Sequence, residues 1–375
     1  MKKLISALLL LCLLLTLAAC SKTDNNIAIP GGNPASSTPD TSIDHDLKPP
    51  APPTTDVSVS LAITASRYNA YGDLDARTDY TYNETGVLIK RVHTSFLYGQ
   101  ENIRYENVYN DYGDLTESAT YSQGMLSERS LNVYEYDSNG NMTQMLQYDK
   151  YSDLSERTTF TYDEKNNLTE QIDYDSSGNI TMTRTYSYND KGLLQKETQN
   201  GYQDYYGEPT LYKGYTLYEY DDNDRLVKST NYNSSGQKLY DWITTYDDNG
   251  NRTSLLQYLS SGQEYLGWCY TYDENGNLTE CKYRLESQEI ERYIYTYDEA
   301  GQLIKMAPYS YGHEGQPSTY TYDENGKLTT SSVLDLYGTV RERTDYAYSS
   351  IVVSPERAKE LLAEQSQLLT PSRHP

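Results

Sequence analysis

Few residues of this chain are of a kind and spacing that could carry a reaction. Between residues 57 and 353 there are two histidines, His93 and His313, and two cysteines, Cys269 and Cys281. His313 sits in the polar turn Tyr311-Gly312-His313-Glu314-Gly315 and reads as solvated. Neither cysteine has a histidine nearby in sequence, so a catalytic thiol is not expected. Carboxylates are plentiful, but they occupy turns. Asp247-Asp248-Asn249-Gly250-Asn251 and Asp273-Glu274-Asn275-Gly276-Asn277 superficially resemble calcium loops. They lack the alternate ligands and the closing Glu that such a loop needs, and turn formation explains their composition without a metal. No phosphate loop, nucleophile elbow or zinc-protease motif occurs. The expectation is no catalytic residue, no metal site and no cofactor.

Two further groups are candidates for something other than catalysis. Cys269 and Cys281 flank the Asp273–Gly276 turn, and in an exported protein they could form a cross-strand disulfide. A one-residue change of register would instead put them on opposite faces. The segment Asn200-Gly201-Tyr202-Gln203-Asp204-Tyr205-Tyr206-Gly207-Glu208-Pro209 breaks an otherwise regular spacing. Tyr202, Tyr205 and Tyr206 in such an aromatic loop could stack on sugars or touch a protein, because insertions in repeat arrays map to loops on a binding face.

The elements that position these residues are repeats. The pattern Tyr-x-Tyr-[Asp/Asn]-x-x-Gly-x-Leu recurs, clearly at Tyr80, Tyr134, Tyr186, Tyr270, Tyr295 and Tyr320, and more weakly between them. Copies lie about 26 residues apart, with one longer interval spanning residues 200–209. Tyr-x-Tyr is period-two alternation, so both rings face one side of a strand. The Asp or Asn can start a turn through its own side chain. The Gly suits the positive-φ position of a hairpin with a type I turn and a bulge. Where Gly is missing, Asn166 and Asp224 stand in its place, and both types tolerate that conformation. A second turn lies midway, as at Asp175–Gly178 and Asn233–Gly236. About twenty short antiparallel strands follow, and an open twisted sheet of that size must curl or wind. After Ser354-Pro355 the period changes to that of a helix, with Ser as N-cap and Pro at the first helical position.

Composition sets the limits. Tyr accounts for 42 of 375 residues, against two Phe and two Trp, and hydrophobic residues make up 37%. A single deep aliphatic core is not expected, and a structure one or two layers thick with half-buried tyrosines as the main apolar filler fits better. The formal net charge of −23 argues against nucleic acid and against the folded part lying on an anionic membrane.

The N-terminus carries Lys2 and Lys3, an apolar run from Leu4 to Thr16, and then Leu17-Ala18-Ala19-Cys20. The run is too short to span a bilayer. This stretch resembles the lipobox of bacterial lipoproteins. The resemblance implies cleavage before Cys20, lipid on its thiol and anchoring to a membrane. Residues 21–56 have the composition of a Pro-rich disordered tether. The array resembles the YD repeats of the RHS family, carried here by Tyr136-Asp137, Tyr162-Asp163, Tyr272-Asp273, Tyr297-Asp298 and Tyr322-Asp323. That resemblance covers roughly residues 60–350 and implies a spiralling β-sheet. The toxin role of some members is not expected here. There is no Asp-Pro-x-Gly motif, and only some 22 residues follow Val353.

The resulting expectation is an all-β protein of tandem antiparallel YD hairpins forming a long, curled or spiralling sheet with a short C-terminal helix. Its parts are a signal peptide at 1–20, a tether at 21–56, the repeat domain at 57–353 and a capping helix and tail at 354–375. It would face outside the cytoplasm, on the outer membrane if the cell has two and otherwise on the outer face of the cell membrane. It would act there as a non-enzymatic binding or adhesion scaffold for glycan or a surface protein. The alternatives are a structural component of an envelope assembly and an envelope glycan hydrolase.

Overall fold

A computed structural model describes residues 57–205 and 208–369. The leader and tether, Cys20 included, lie outside the described residues. The described chain forms one sheet of 23 antiparallel strands and one helix, Pro355–Leu369. Consecutive strands pair as neighbours from Val57–Asn69 to Val340–Val353. The two-residue strand His313–Glu314 pairs only with Leu303–Ser310.

The sheet does not stay open. The first strand, Val57–Asn69, pairs antiparallel with the last, Val340–Val353, from Val57↔Val353 to Asn69↔Glu342. A closed barrel of 22 strands results, and the expected open, spiralling sheet is corrected. With strands about 4.8 Å apart, such a ring is on the order of 34 Å across before tilt.

The register shows how closure works. In a regular unit the second Tyr pairs with the residue that starts the return strand, as in Tyr136↔Met142, with a bulge beside it. At the seam Tyr348 pairs with Ala62, again with a bulge beside it. The eleventh unit is therefore split between the two ends of the chain. Its tyrosine strand is C-terminal and its return strand N-terminal. Closure satisfies the two edges that an open sheet would leave unpaired.

Two faces follow from the alternation. In Tyr80-Thr81-Tyr82, Tyr270-Thr271-Tyr272 and Tyr320-Thr321-Tyr322 the middle residue is exposed while both tyrosines are half-buried or buried. On the tyrosine face Trp268, Tyr270, Leu278, Cys281, Tyr295, Leu303 and Tyr320 form the largest buried cluster. The other face carries threonines and charged residues.

The tyrosine hydroxyls have their own task. Tyr162 donates to the Met142 carbonyl at 2.9 Å, Tyr246 to Leu226 at 3.0 Å and Tyr322 to Leu303 at 2.8 Å. At the seam Tyr82 does the same to Ala62 at 2.9 Å. Each acceptor lies just beyond the end of the ladder to the next strand, where a buried carbonyl needs a donor. Phenylalanine cannot supply one, which explains why these positions hold tyrosine.

Hairpin turns alternate between the two ends of the barrel. At one end, the proximal rim, the chain enters at Val57 and the helix packs. Ser354 caps that helix, its Oγ accepting from the Arg357 amide at 3.2 Å. Ala358 and Leu361 bury against Val59, Leu61 and Val353. A Cβ at Gly86 would lie 2.6 Å from Leu361 Cδ1, so a larger residue there would make the leucine shift, and the φ of 81° at Gly86 itself favours glycine. The helix thus covers the seam at the proximal rim.

Candidate functional site at the distal rim

Ten hairpin turns at the proximal rim and five at the distal rim share one geometry, and the distal turn at Leu259 keeps its backbone bonds without the side-chain acceptor. Asp273 is representative. Its Oδ1 accepts from the amides of Asn275 at 2.9 Å and Asn277 at 2.8 Å, and its Oδ2 from Asn277 Nδ2 at 3.0 Å. The Asn277 side-chain amide holds the Asp273 carboxyl below the usual range, as Asn141, Asn167 and Asn251 do for Asp137, Asp163 and Asp247. The left-handed position is taken by Gly140, Gly276 and their equivalents, and by Asn166 at φ 64° and Asp224 at φ 62°. These carboxylates are used to build turns. Among the described residues no group of three or more His, Cys, Asp or Glu is placed to hold a metal ion.

The rims differ in what the turns display. At the residue two after the Asx acceptor, the proximal rim carries mainly polar residues such as Asn139, Lys165, Asn249, Asn275 and Asn325. Its one tyrosine there, Tyr112, stacks on Tyr136 with ring centroids 4.8 Å apart. The distal rim places Tyr71, Tyr151 and Tyr337 at the same position, with the same backbone bond to Asn69, Asp149 or Asp335. Tyr71 is 90% exposed and Tyr337 94%. Four other distal turns are two-residue hairpins. Tyr98 (φ 52°) and Tyr311 (φ 48°) take the first positive-φ position of two of them, with Gln123 and Glu286 in the others. Tyr98 is 96% exposed. Met125, Leu126, Leu336, Ile180 and Leu211 add further exposed apolar side chains near the same rim.

The described residues of the 200–209 segment, 200–205 and 208–209, are strand and not loop. They extend the strands Leu194–Tyr205 and Glu208–Tyr220 into one long hairpin. The neighbouring strands stop pairing at Met182↔Gly201 and Gly214↔Asn233, so the hairpin projects beyond the distal rim. Gly201 and Gly214 mark its base. A Cβ on either would lie within 2.5 Å of a backbone carbonyl, Thr181 O at 2.3 Å and Tyr232 O at 2.5 Å. Tyr202 is exposed and faces the same side as exposed Leu211. The side chain of Tyr205 and the whole of Tyr206 lie outside the described residues.

Cys269 pairs with Lys282, and Cys281 with Tyr270. The two thiols therefore lie on opposite faces and are not joined, which corrects the disulfide. The bulge between Thr271 and Tyr272 supplies the extra residue that shifts the parity. His93 Nδ1 lies 2.8 Å from Thr78 Oγ1, and burial lowers its pKa, reinforced by Arg91 and Arg67. His313 is exposed at the distal rim. A cleft of about 230 Å³ lies between proximal turns and is lined in part by Lys191, Tyr220, Asp221 and Asp224. Its acids are held in ion pairs, Lys191–Asp224 at 2.5 Å and Arg225–Asp221 at 2.7 Å. The five distal tyrosines escaped the sequence reading because they share a residue type with the packing tyrosines. The signal that finds them is position, a Tyr inside the second turn of a unit.

No protein-family model matches the chain, and no curated protein sequence matches it. Solved structures with a similar arrangement include a TcdB2–TccC3 toxin-complex chain, at 15% identity over 75% of this chain with a TM-score of 0.25. A Photorhabdus luminescens Tc holotoxin pore matches at 15% identity over 77%, with a TM-score of 0.24. This chain spans 18% of the length of each. A porin-like protein from Bacteroides uniformis matches at 13% identity, covering 77% of this chain and 98% of that one, with a TM-score of 0.26. No helix among the described residues is long and apolar enough to cross a membrane.

Proposed function

We propose that this chain is a YD-repeat lipoprotein of the bacterial cell envelope, tethered through lipid on Cys20, whose barrel presents its distal rim as a non-enzymatic binding surface for glycan or a surface protein. The observation that carries this reading is the polarity of the barrel. The chain enters at Val57 on the proximal rim, and the helix packs there over the seam. The exposed tyrosines gather on the opposite rim, which a membrane tether entering at Val57 would point away from the bilayer. The pairing of the cleft acids with Lys191 and Arg225 favours binding over hydrolysis. In a cell with two membranes, Ser21 after the lipid-bearing cysteine favours the outer one.

Metabolic labelling with an alkyne fatty acid tests the anchor. The wild-type chain should take up label and fractionate with membranes, and Cys20→Ser should do neither. Equal membrane association of Cys20→Ser would overturn the reading.

A further inference from the structure

Around the ring, the turns carrying Tyr311, Tyr337, Tyr71 and Tyr98, then Met125, then Tyr151, are consecutive on the distal rim and straddle the seam. Adjacent turn tips are two strands apart, so the side chains recur at steps of about 10 Å along an arc. Two observations separate these tyrosines from packing residues. Tyr71, Tyr151 and Tyr337 occupy a turn position that the other rim fills mainly with Asn, Lys or Ser-sized groups, so turn formation does not select them. Tyr98 and Tyr311 hold left-handed backbone, at φ 52° and 48°, where a bulky aromatic is disfavoured and Asn or Gly preferred. Backbone strain retained on an exposed residue points to use of its side chain.

We infer that this arc is a binding platform for an uncharged, linear polysaccharide, which rests on the reading of the distal rim as the binding surface. The rings stand singly at steps of about 10 Å, with isolated apolar neighbours such as Leu97, Met125 and Leu336 among the polar turn residues, whereas a protein partner of ordinary kind needs a contiguous desolvated core. A periodic row of isolated platforms matches a ligand that is itself periodic. Each sugar offers an apolar C–H face to a ring and a hydroxyl edge to the tyrosine Oη and the turn amides. Three arginines beside the arc are already paired, Arg67 with Asp75 at 2.6 Å, Arg341 with Asp335 at 3.0 Å and Arg104 with Glu101 at 3.1 Å. With the chain at −23, an anionic polymer or an anionic bilayer is repelled. Tyr151 keeps the Lys150 ammonium 5.0 Å from its ring centroid and is 72% exposed.

The test uses the full chain carrying Cys20→Ser, in native gels containing hydroxyethylcellulose, galactomannan or a mixed-linkage glucan, with alginate and phosphatidylglycerol vesicles as anionic probes. At least one neutral polymer should retard the protein. Affinity for its oligosaccharides should rise with length as successive rings engage. Tyr71→Ala/Tyr98→Ala/Tyr337→Ala should weaken binding at least tenfold, while the same three changes to Phe keep it within threefold. Tyr112→Ala on the other rim should leave it unchanged. Thermal unfolding of each variant, followed by circular dichroism, confirms the fold at these exposed positions. No retardation by any neutral polymer, equal binding by the triple Ala variant, or binding to the anionic probes alone would overturn the inference. The labelling of Cys20 is independent of all three results, so the anchor and the platform can fail separately.

Discussion

The hydroxyl of Tyr188 donates to the carbonyl of Leu168 at 2.7 Å, two residues past Glu170, the last residue of that strand paired with the next one. The bond completes backbone pairing where the ladder has run out. Tyr188→Phe keeps the ring and leaves the carbonyl without its donor, which should cost about 1–2 kcal/mol. Urea unfolding followed by circular dichroism measures it. An unchanged midpoint would show that water satisfies Leu168 equally well.

Closure brings Ser60 Oγ and Ser350 Oγ within 3.5 Å of one another, 290 residues apart in the chain. Ser60→Cys with Ser350→Cys should therefore form an intramolecular disulfide under mild oxidation, visible as faster migration on a non-reducing gel. In the chain-entropy view a link closing so long a loop adds up to about 5 kcal/mol. An open spiral would leave the two thiols reduced.

Tyr98→Asn exchanges a disfavoured residue for one that accepts φ near 52°. The change should stabilise the fold by about 1 kcal/mol, read as a higher melting temperature. It should also weaken polysaccharide binding. Gain of stability with loss of binding is the expected trade-off where strain serves function.

Burial pushes the Tyr188 and Tyr348 hydroxyls up to about 12, helped by Asp163 near the first and by Tyr346 and Asp323 near the second. A tyrosine whose folded pKa lies above its unfolded value of about 10 stays neutral longer in the native state. The stability it contributes is complete below pH 10 and is lost as pH rises through 12. Stability measured in urea should therefore fall between pH 10 and 12. Part of the tyrosinate absorbance should appear only together with the loss of sheet signal.

The hairpin units were legible because their determinants are local. Tyr136, Asp137 and Gly140 sit within five residues and fix strand, acceptor and left-handed turn together. Closure was not legible. It pairs Tyr348 with Ala62, and the strand Val57–Asn69 lacks the preceding Asp/Asn-x-x-Gly turn that introduces a return strand in the regular units, so nothing local marks it as the missing half of a unit. The faces of Cys269 and Cys281 depended on one bulge beside Tyr272, which the residue spacing alone leaves open. The exposed distal tyrosines were hidden by abundance, since Tyr337 and Tyr322 differ in place and not in type.

The seam also determines how the barrel would carry load. Pulling on Val57 from the proximal side while a ligand holds the distal rim draws the first strand along its own axis. It is gripped on one side by the ladder to Val340–Val353 and on the other by that to Leu74–Tyr82. Those bonds are then strained in shear and must yield together. Peeling, in which they open singly, would require a force across the strand. The ladder that joins the two chain ends is thereby loaded in the direction of its greatest mechanical resistance.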